Sequence, residues 1–153
     1  MPVDHSNDAH PQADVLGGDV AILKNLSEPE QAELLSFAEK QFVARGTRIL
    51  TAGETGRSLY ILVKGRVDVV IDGVEGPKPI ASIGAGSVFG EMAFLDGRPR
   101  SAHVDAQDDI EVLSLAPHRF EQLATSHPGL GQQLLRDLGR ILSLRLRRLN
   151  PVQ

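Results

Sequence analysis

Short β-rich runs separated by glycine turns fill the middle of the chain and limit the folds open to it. The runs are Arg48 to Leu50, Leu59 to Val63, Val67 to Ile71, Ile80 to Ile83, Ala102 to Ala106 and Ile110 to Leu115. The turns carry Gly46, Gly53, Gly56, Gly65, Gly73, Gly76, Gly84 and Gly97. Short strands at regular spacing indicate a barrel or a jelly roll.

Helical segments flank this β-rich region. Before it, Ser27 and Glu30 match a capping box, and the helix that they start is expected to run to about Lys40. After it, Pro117 is placed to open a helix that ends near Ser126.

A last helix is predicted from about Leu130 to Leu149, after an interruption at residues 127–129. Helical periodicity gives it an apolar face made of Leu134, Leu138, Ile141, Leu142 and Leu149. The same segment is rich in arginine, and arginines near a helix C-terminus complement the helix dipole.

Length and composition narrow the class of protein. A chain of 153 residues suits one domain, and its net charge of −4 gives no general attraction for nucleic acid. The absence of cysteine excludes disulfides and thiolate sites. No apolar run is long enough to span a bilayer, and the acidic N-terminus is not a signal peptide, so we expect a cytoplasmic protein.

The chemistry of a ligand site is concentrated between Gly84 and Ala102. Gly90 frees the backbone where a short helical turn is expected, at Glu91 to Leu95. The N–H groups that open such a turn bind anions, and the guanidinium of Arg100 suits a phosphate. The Glu91 carboxylate supplies acceptors that suit sugar hydroxyls. Together these groups predict a sugar-phosphate cradle.

Phe89-Gly90-Glu91-Met92-Ala93, followed by Pro99-Arg100-Ser101-Ala102, resembles the phosphate-binding cassette of cyclic nucleotide-binding domains. The resemblance extends from about Ile22 to Leu149, and Ser58 to Val67 resembles the central hairpin of the family. Members include catabolite activator protein, the regulatory subunits of protein kinase A and cyclic nucleotide-gated channels.

The resemblance implies a mainly β fold with flanking helices: an eight-stranded β roll (jelly roll), an N-terminal helix and two C-terminal helices. Residues 1–18 are expected to form a flexible polar tail, and residues 19–150 a single domain. Within that domain, residues 19–45 form the N-terminal helical part and residues 46–116 the β roll with the cassette at 84–102. Residues 117–150 form the hinge and lid helices.

The resemblance also implies a regulatory ligand, with cAMP expected ahead of cGMP, and no metal or catalysis. Arg100 and the backbone of Gly90 to Ala93 would hold the cyclic phosphate. Glu91 would accept the ribose 2′-hydroxyl, and Ser101 would assist or merely start a strand. The backbone N–H groups of Met92 and Ala93 would reach the phosphate while the Met92 side chain packs as core, so the binding role and the packing role are compatible.

Ligand binding is expected to shift the C-terminal helices as a switch. Met92 and Phe120 are expected to transmit the movement from the cassette to these helices. The last helix suits a lid over the base, a seam between two subunits or plain intrachain packing, so a monomer and a homodimer both remain open. Its partner would be an effector protein or a fused effector domain. No DNA-binding domain is expected in this chain, because too few residues follow the last helix.

Two other classes of function stay open. A domain of this fold could act as a protein-interaction module without ligand, and another small anion could replace the nucleotide. Enzymatic functions lack support, since His103, His118 and His127 do not have metal-ligand spacing and no P-loop is present.

Overall fold

Eight antiparallel strands form the body of the computed structural model, which describes residues 22–149. They are β1 (Glu39–Val43), β2 (Arg48–Leu50), β3 (Leu59–Lys64), β4 (Arg66–Gly73), β5 (Gly76–Gly84), β6 (Val88–Phe89), β7 (His103–Ala106) and β8 (Ile110–Leu115). One sheet has the order β1-β8-β3-β6 and the other β2-β7-β4-β5. The predicted eight-stranded roll is confirmed, whereas the tail predicted over residues 1–18 lies outside the described residues.

Helices flank the roll on both sides in sequence. A short 3₁₀ helix (Leu23–Asn25) precedes helix α1 (Glu28–Phe37). The capping box is confirmed: the Ser27 hydroxyl accepts from the Glu30 N–H at 3.2 Å, and Glu30 Oε1 accepts from the Ser27 N–H at 2.9 Å. Further along lie α2 (Glu91–Asp96), α3 (Pro117–Ser126) and α4 (Pro128–Leu149).

Helix α1 ends at Phe37, so its predicted continuation to Lys40 is wrong. Ala38 is extended, with φ −103° and ψ 160°, and the next five residues form strand β1. Strand β1 pairs with β8 from Glu39 opposite Ser114 to Val43 opposite Ile110. Tertiary pairing thus overrides the helical preference of alanine, glutamate and lysine, and the roll begins earlier than residue 46.

The apolar side chains form two clusters. The cluster between the two sheets contains Leu50, Leu62, Val67, Ile83, Phe89, Val104, Ala106, Ile110 and Val112. The second joins the β1-β8-β3-β6 sheet to the helices through Leu34, Leu59, Ile61, Leu113, Leu115, Leu123, Leu130, Leu134, Leu138 and Ile141, among others. Of the predicted apolar face of α4, Leu142 is half-buried and Leu149 is 71% exposed. Across residues 22–149, every helix is too short or too polar to cross a membrane.

A sharp bend joins α3 to α4. His127 is the one residue between the two helices, and α4 begins at Pro128 rather than near Leu130. A Cβ atom on Gly131 would lie 2.8 Å from the Ala124 Cβ, so glycine allows the helices to approach closely here. Pro128 and Gly129, expected as a hinge, belong to the first turn of α4.

Helix α4 buries one carboxylate, that of Asp137, at an energetic cost. Asp137 is 0% exposed. Arg140 Nη2 lies 3.5 Å from its Oδ1, yet within the described part of the chain neither carboxylate oxygen has a hydrogen-bond partner. A buried polar group without a hydrogen bond destabilises a fold by about 1 to 3 kcal/mol.

We therefore expect Asp137→Leu, which removes this charge, to raise the free energy of unfolding by about 1 to 3 kcal/mol. Urea unfolding followed by circular dichroism measures the change. Asp108→Leu, at an exposed turn position, is the matched control and should change stability by less than about 0.5 kcal/mol. A destabilised Asp137→Leu variant would show that the carboxylate has a favourable role in the fold.

Candidate functional site

Gly90 opens helix α2 in a conformation that suits glycine. Its φ is 75° and its ψ 12°, in the left-handed region. A Cβ atom at this position would lie 2.9 Å from Arg100 Nη1 and 3.2 Å from the Ser58 carbonyl oxygen. The first intrahelical hydrogen bond runs from the Phe94 N–H to the Gly90 oxygen at 3.3 Å, so the N–H groups of residues 91–93 precede it. The predicted turn at Glu91 to Leu95 is confirmed.

Arg100 is buried beside this turn. It is 6% exposed, and its Nη1 and Nη2 donate to the carbonyl oxygens of Gly90 and Ser58, both at 3.0 Å. Its backbone is held by the preceding turn, since its N–H donates to the Glu54 oxygen at 2.7 Å and its oxygen accepts from the Gly53 N–H at 2.8 Å. Hydrogen bonds therefore hold both the guanidinium and the backbone of Arg100 in place.

The Arg100 guanidinium keeps unused capacity for an anion. Among the described residues its Nε has no hydrogen-bond partner although it is buried, and no carboxylate there forms an ion pair with it. Burial lowers the pKa of Arg100 from its ordinary value, and the acidic groups of Tyr60, Glu91 and Glu54 act in the opposite direction. A desolvated cation without an anionic partner gains strongly when an anion binds it.

Aromatic rings form one wall beside the guanidinium. Tyr60 on β3 lies opposite Phe89 on β6, and their rings are stacked with centroids 5.1 Å apart and planes at 4°. The Arg100 Cζ atom lies 5.9 Å from the Tyr60 ring centroid, within cation–π range. This wall keeps the guanidinium in a partly apolar setting.

Glu91, the first residue of α2, is brought together with an arginine that the sequence analysis did not single out. Arg145, on α4, places its Nη1 3.1 Å from Glu91 Oε2. Its Nη2 donates to the Ser87 hydroxyl at 3.2 Å and to the Val88 carbonyl oxygen at 2.8 Å. The arginine-rich composition of α4 was a signal, but helical periodicity does not tell which of its arginines faces the cassette.

The other predicted site residues lie on the same turn or beside it. Ala93 is buried, whereas Met92 is 51% exposed, so the interpretation of its side chain as core is wrong. The reason is the helical phase of α2, which turns Ala93 and Phe94 inward instead. The exposed Ser101 places its hydroxyl 3.8 Å from the Met92 sulfur, so both side chains are at the surface of the cassette.

Phe94 links the cassette to the C-terminal helices. Its ring meets that of Phe120, on α3, edge to face, with centroids 5.6 Å apart and planes at 84°. Phe120 was expected to carry movement from the cassette together with Met92. In the structure, the cassette residue that contacts Phe120 is the buried Phe94, whereas Met92 is exposed.

His103, His118 and His127, the described histidines, lie outside this site. His103 is buried on β7, where its Nδ1 accepts from the Ala52 N–H at 3.0 Å and its Nε2 lies 3.0 Å from Asp72 Oδ1. His103 therefore braces a turn. Over residues 22–149 no three histidine or acidic side chains are grouped to hold a metal ion.

Comparisons with known proteins agree on one family. A family model described as cyclic nucleotide-binding domain matches residues 40–127. A cAMP-dependent protein kinase regulatory subunit from Aspergillus niger is 33% identical over 105 residues, which are 69% of this chain and 25% of that protein. Glutaminase 2 of Bradyrhizobium diazoefficiens is 35% identical over 130 residues, which are 84% of this chain and 20% of that protein.

A solved structure extends the likeness to three dimensions. The crystal structure of a cyclic nucleotide-binding domain from Methylobacillus flagellatus matches with a TM-score of 0.76 and 29% identity, covering 93% of this chain and 80% of that one. The two curated relatives are much longer than this chain, which spans 25% of one and 20% of the other.

Proposed function

Because this chain belongs to the cyclic nucleotide-binding domain family, we propose that it binds a cyclic nucleotide, cAMP ahead of cGMP, as a regulatory ligand and without catalysing a reaction. One observation carries this proposal: the Arg100 guanidinium is buried beside the opening turn of α2, and its Nε donor has no hydrogen-bond partner among residues 22–149. A cyclic phosphate placed between that guanidinium and the N–H groups of the turn would accept hydrogen bonds from both sets of donors.

We assign the following roles to the site residues, as the family resemblance implies. Arg100 and the backbone of Gly90, Met92 and Ala93 hold the phosphate. The Glu91 carboxylate accepts from the ribose 2′-hydroxyl. The exposed Ser101 hydroxyl stands at the edge of the cassette and adds a donor to a phosphate oxygen.

The order of cAMP before cGMP is supported by the name of one relative, a cAMP-dependent kinase regulatory subunit. Its coverage, and that of the glutaminase, supports a modular role in which such a domain is one part of a longer protein. We propose that the ligand shifts α3 and α4 and that an effector, fused or separate, responds to that shift. The shift is limited by the difference between the ligand's affinities for the two arrangements.

Isothermal titration calorimetry with cAMP, cGMP, AMP and inorganic phosphate tests the proposal. We expect cAMP to bind most tightly and AMP to bind much more weakly, because its ring is open and its phosphate carries more charge. If AMP or phosphate binds as well as cAMP, the site is a sensor of another small anion. If none of the four binds, the domain is a ligand-free interaction module.

Glu91→Gln should weaken cAMP binding, by about 1.5 kcal/mol or more, because a charged acceptor is replaced by a neutral one. The loss should largely vanish with 2′-deoxy-cAMP, which lacks the hydroxyl that Glu91 contacts. A double cycle of protein and ligand changes by calorimetry measures this coupling. Full additivity of the two losses would show that Glu91 does not contact the ribose.

A further inference from the structure

Arg145 differs from the arginines around it on α4. Its side chain is only 14% exposed, while Arg136, Arg140 and Arg147 are exposed. It crosses from the last helix to the segment that leads from β6 into α2, and 54 positions in sequence separate it from Glu91. A long side chain ordered in this way has lost much rotamer freedom, so its contacts must compensate for that loss.

Arg145 contacts both the start of the β6 segment and the carboxylate of Glu91. Nη2 donates to the carbonyl oxygen of Val88, the first residue of β6, at 2.8 Å and to the hydroxyl of the preceding Ser87 at 3.2 Å. Nη1 then meets Glu91 Oε2 at 3.1 Å. The strand therefore fixes the plane of the guanidinium, and the guanidinium fixes the direction of the carboxylate.

One oxygen of Glu91 stays available for a ligand. Arg145 engages Oε2, and within residues 22–149 no hydrogen bond uses Oε1. The Glu91 side chain is 11% exposed, so its rotation is limited by neighbours as well as by Arg145. A carboxylate held through one oxygen can accept a hydroxyl through the other without losing the first contact.

We propose that Arg145 is a positioning residue for ribose recognition: it holds Glu91 so that Oε1 faces the 2′-hydroxyl, and it thereby makes α4 part of the binding site. This inference rests on the proposed function, in which Glu91 contacts the ribose. Both the guanidinium and the hydroxyl donate to the carboxylate, so Arg145 acts by fixing the direction of Glu91 Oε1. Loss of Arg145 should then resemble loss of the hydroxyl itself.

A purely structural role would have a different signature. If Arg145 only braced α4 against the roll, its removal would weaken every nucleotide by the same factor. A positioning role predicts a loss that depends on the 2′-hydroxyl. The two roles are therefore separable by the choice of ligand.

The experiment compares Arg145→Met with the wild-type chain by calorimetry, using cAMP and 2′-deoxy-cAMP. We expect cAMP to bind about tenfold more weakly to the variant, as is usual for coupled neighbours, and 2′-deoxy-cAMP to change by less than about twofold. Arg145→Lys should recover part of the cAMP affinity, because lysine keeps the positive charge but lacks the paired N–H donors of a guanidinium. Arg147→Met, which removes the same charge from an exposed position two residues away, should change neither affinity.

Amide hydrogen exchange without nucleotide tests whether Arg145 holds α4 against the roll in the absence of ligand. Exchange over residues 138–149 should be faster in Arg145→Met than in Arg147→Met, since a helix held by fewer contacts opens more readily. Equal losses for the two nucleotides, or no loss at all, would overturn the positioning role while leaving the proposed function in place. A wild-type chain that binds neither nucleotide would overturn both, and the exchange rates would then report only a structural anchor.

Discussion

Replacing Arg100 with alanine is expected to weaken cyclic nucleotide binding by about 2 to 5 kcal/mol, the usual effect of removing one partner of a buried charged pair. The guanidinium donates to the Gly90 carbonyl oxygen, directly beside the opening turn of α2. Without it, a phosphate in the cassette would lose its charge-assisted hydrogen bonds. The backbone N–H groups of the turn would be the donors left to hold it.

The fold should survive this change. Arg100 already carries a desolvated charge, and its buried Nε has no hydrogen bond within the described part of the chain. Relief of that cost offsets the loss of its bonds to Gly90 and Ser58. Calorimetry with cAMP, together with urea unfolding, separates affinity from stability. Arg98→Ala, at an exposed position in the same loop, is the matched control. Equal cAMP affinities in the wild type and Arg100→Ala would remove Arg100 from the binding site.

Gly90→Ala is expected to lower the free energy of unfolding by about 2 to 5 kcal/mol and to reduce nucleotide affinity as well. Two costs combine. Alanine at φ 75° is strained by about 1 to 2 kcal/mol, and a Cβ atom 2.9 Å from Arg100 Nη1 forces a packing change worth about 1 to 3 kcal/mol. Because the displaced atom belongs to the guanidinium, the same substitution disturbs the phosphate site.

Gly46→Ala separates these two costs. Gly46 has a similar φ of 87°, but a Cβ atom there would meet nothing within 4 Å. It should therefore lose only the strain contribution, about 1 to 2 kcal/mol, with cAMP affinity unchanged. Urea unfolding and calorimetry on both variants provide the comparison. If the two variants lose equal stability and bind equally well, Gly90 serves the turn alone.

Much of the fold is local in sequence and was predicted for that reason. The capping box of α1, the bounds of α3 and most strands follow from residue patterns within a few positions. Strand β1 was missed because Glu39 and Lys40 favour a helix, and only pairing with β8 makes them extended. Strand β6 has two residues, Val88 and Phe89, which is too short for any periodicity to appear.

The candidate site also has a part that is local in sequence and a part that depends on contacts between distant residues. Gly90, Glu91 and Arg100 lie close together in the chain, so their types and spacing were enough to group them. The contacts of Arg100 with Ser58, and of Arg145 with Ser87, join residues 42 and 58 positions apart. Such pairs depend on how the roll closes and on how α4 crosses it, which no local pattern encodes. The roles assigned to the site residues toward a nucleotide remain predictions.

Because α4 packs closely against α3 where Gly131 meets Ala124, a tilt of α4 about that contact would move its far end most. At that contact the two helix axes lie close together, because the glycine leaves no Cβ atom between them. From Gly131 to Arg145 the helix rises by ~21 Å, at ~1.5 Å per residue. A tilt of about 10° about the position of Gly131 would carry the guanidinium through about 4 Å. That displacement exceeds the 3.1 Å between Arg145 Nη1 and Glu91 Oε2, so a small change of angle beside Gly131 becomes a large change of distance at the cassette.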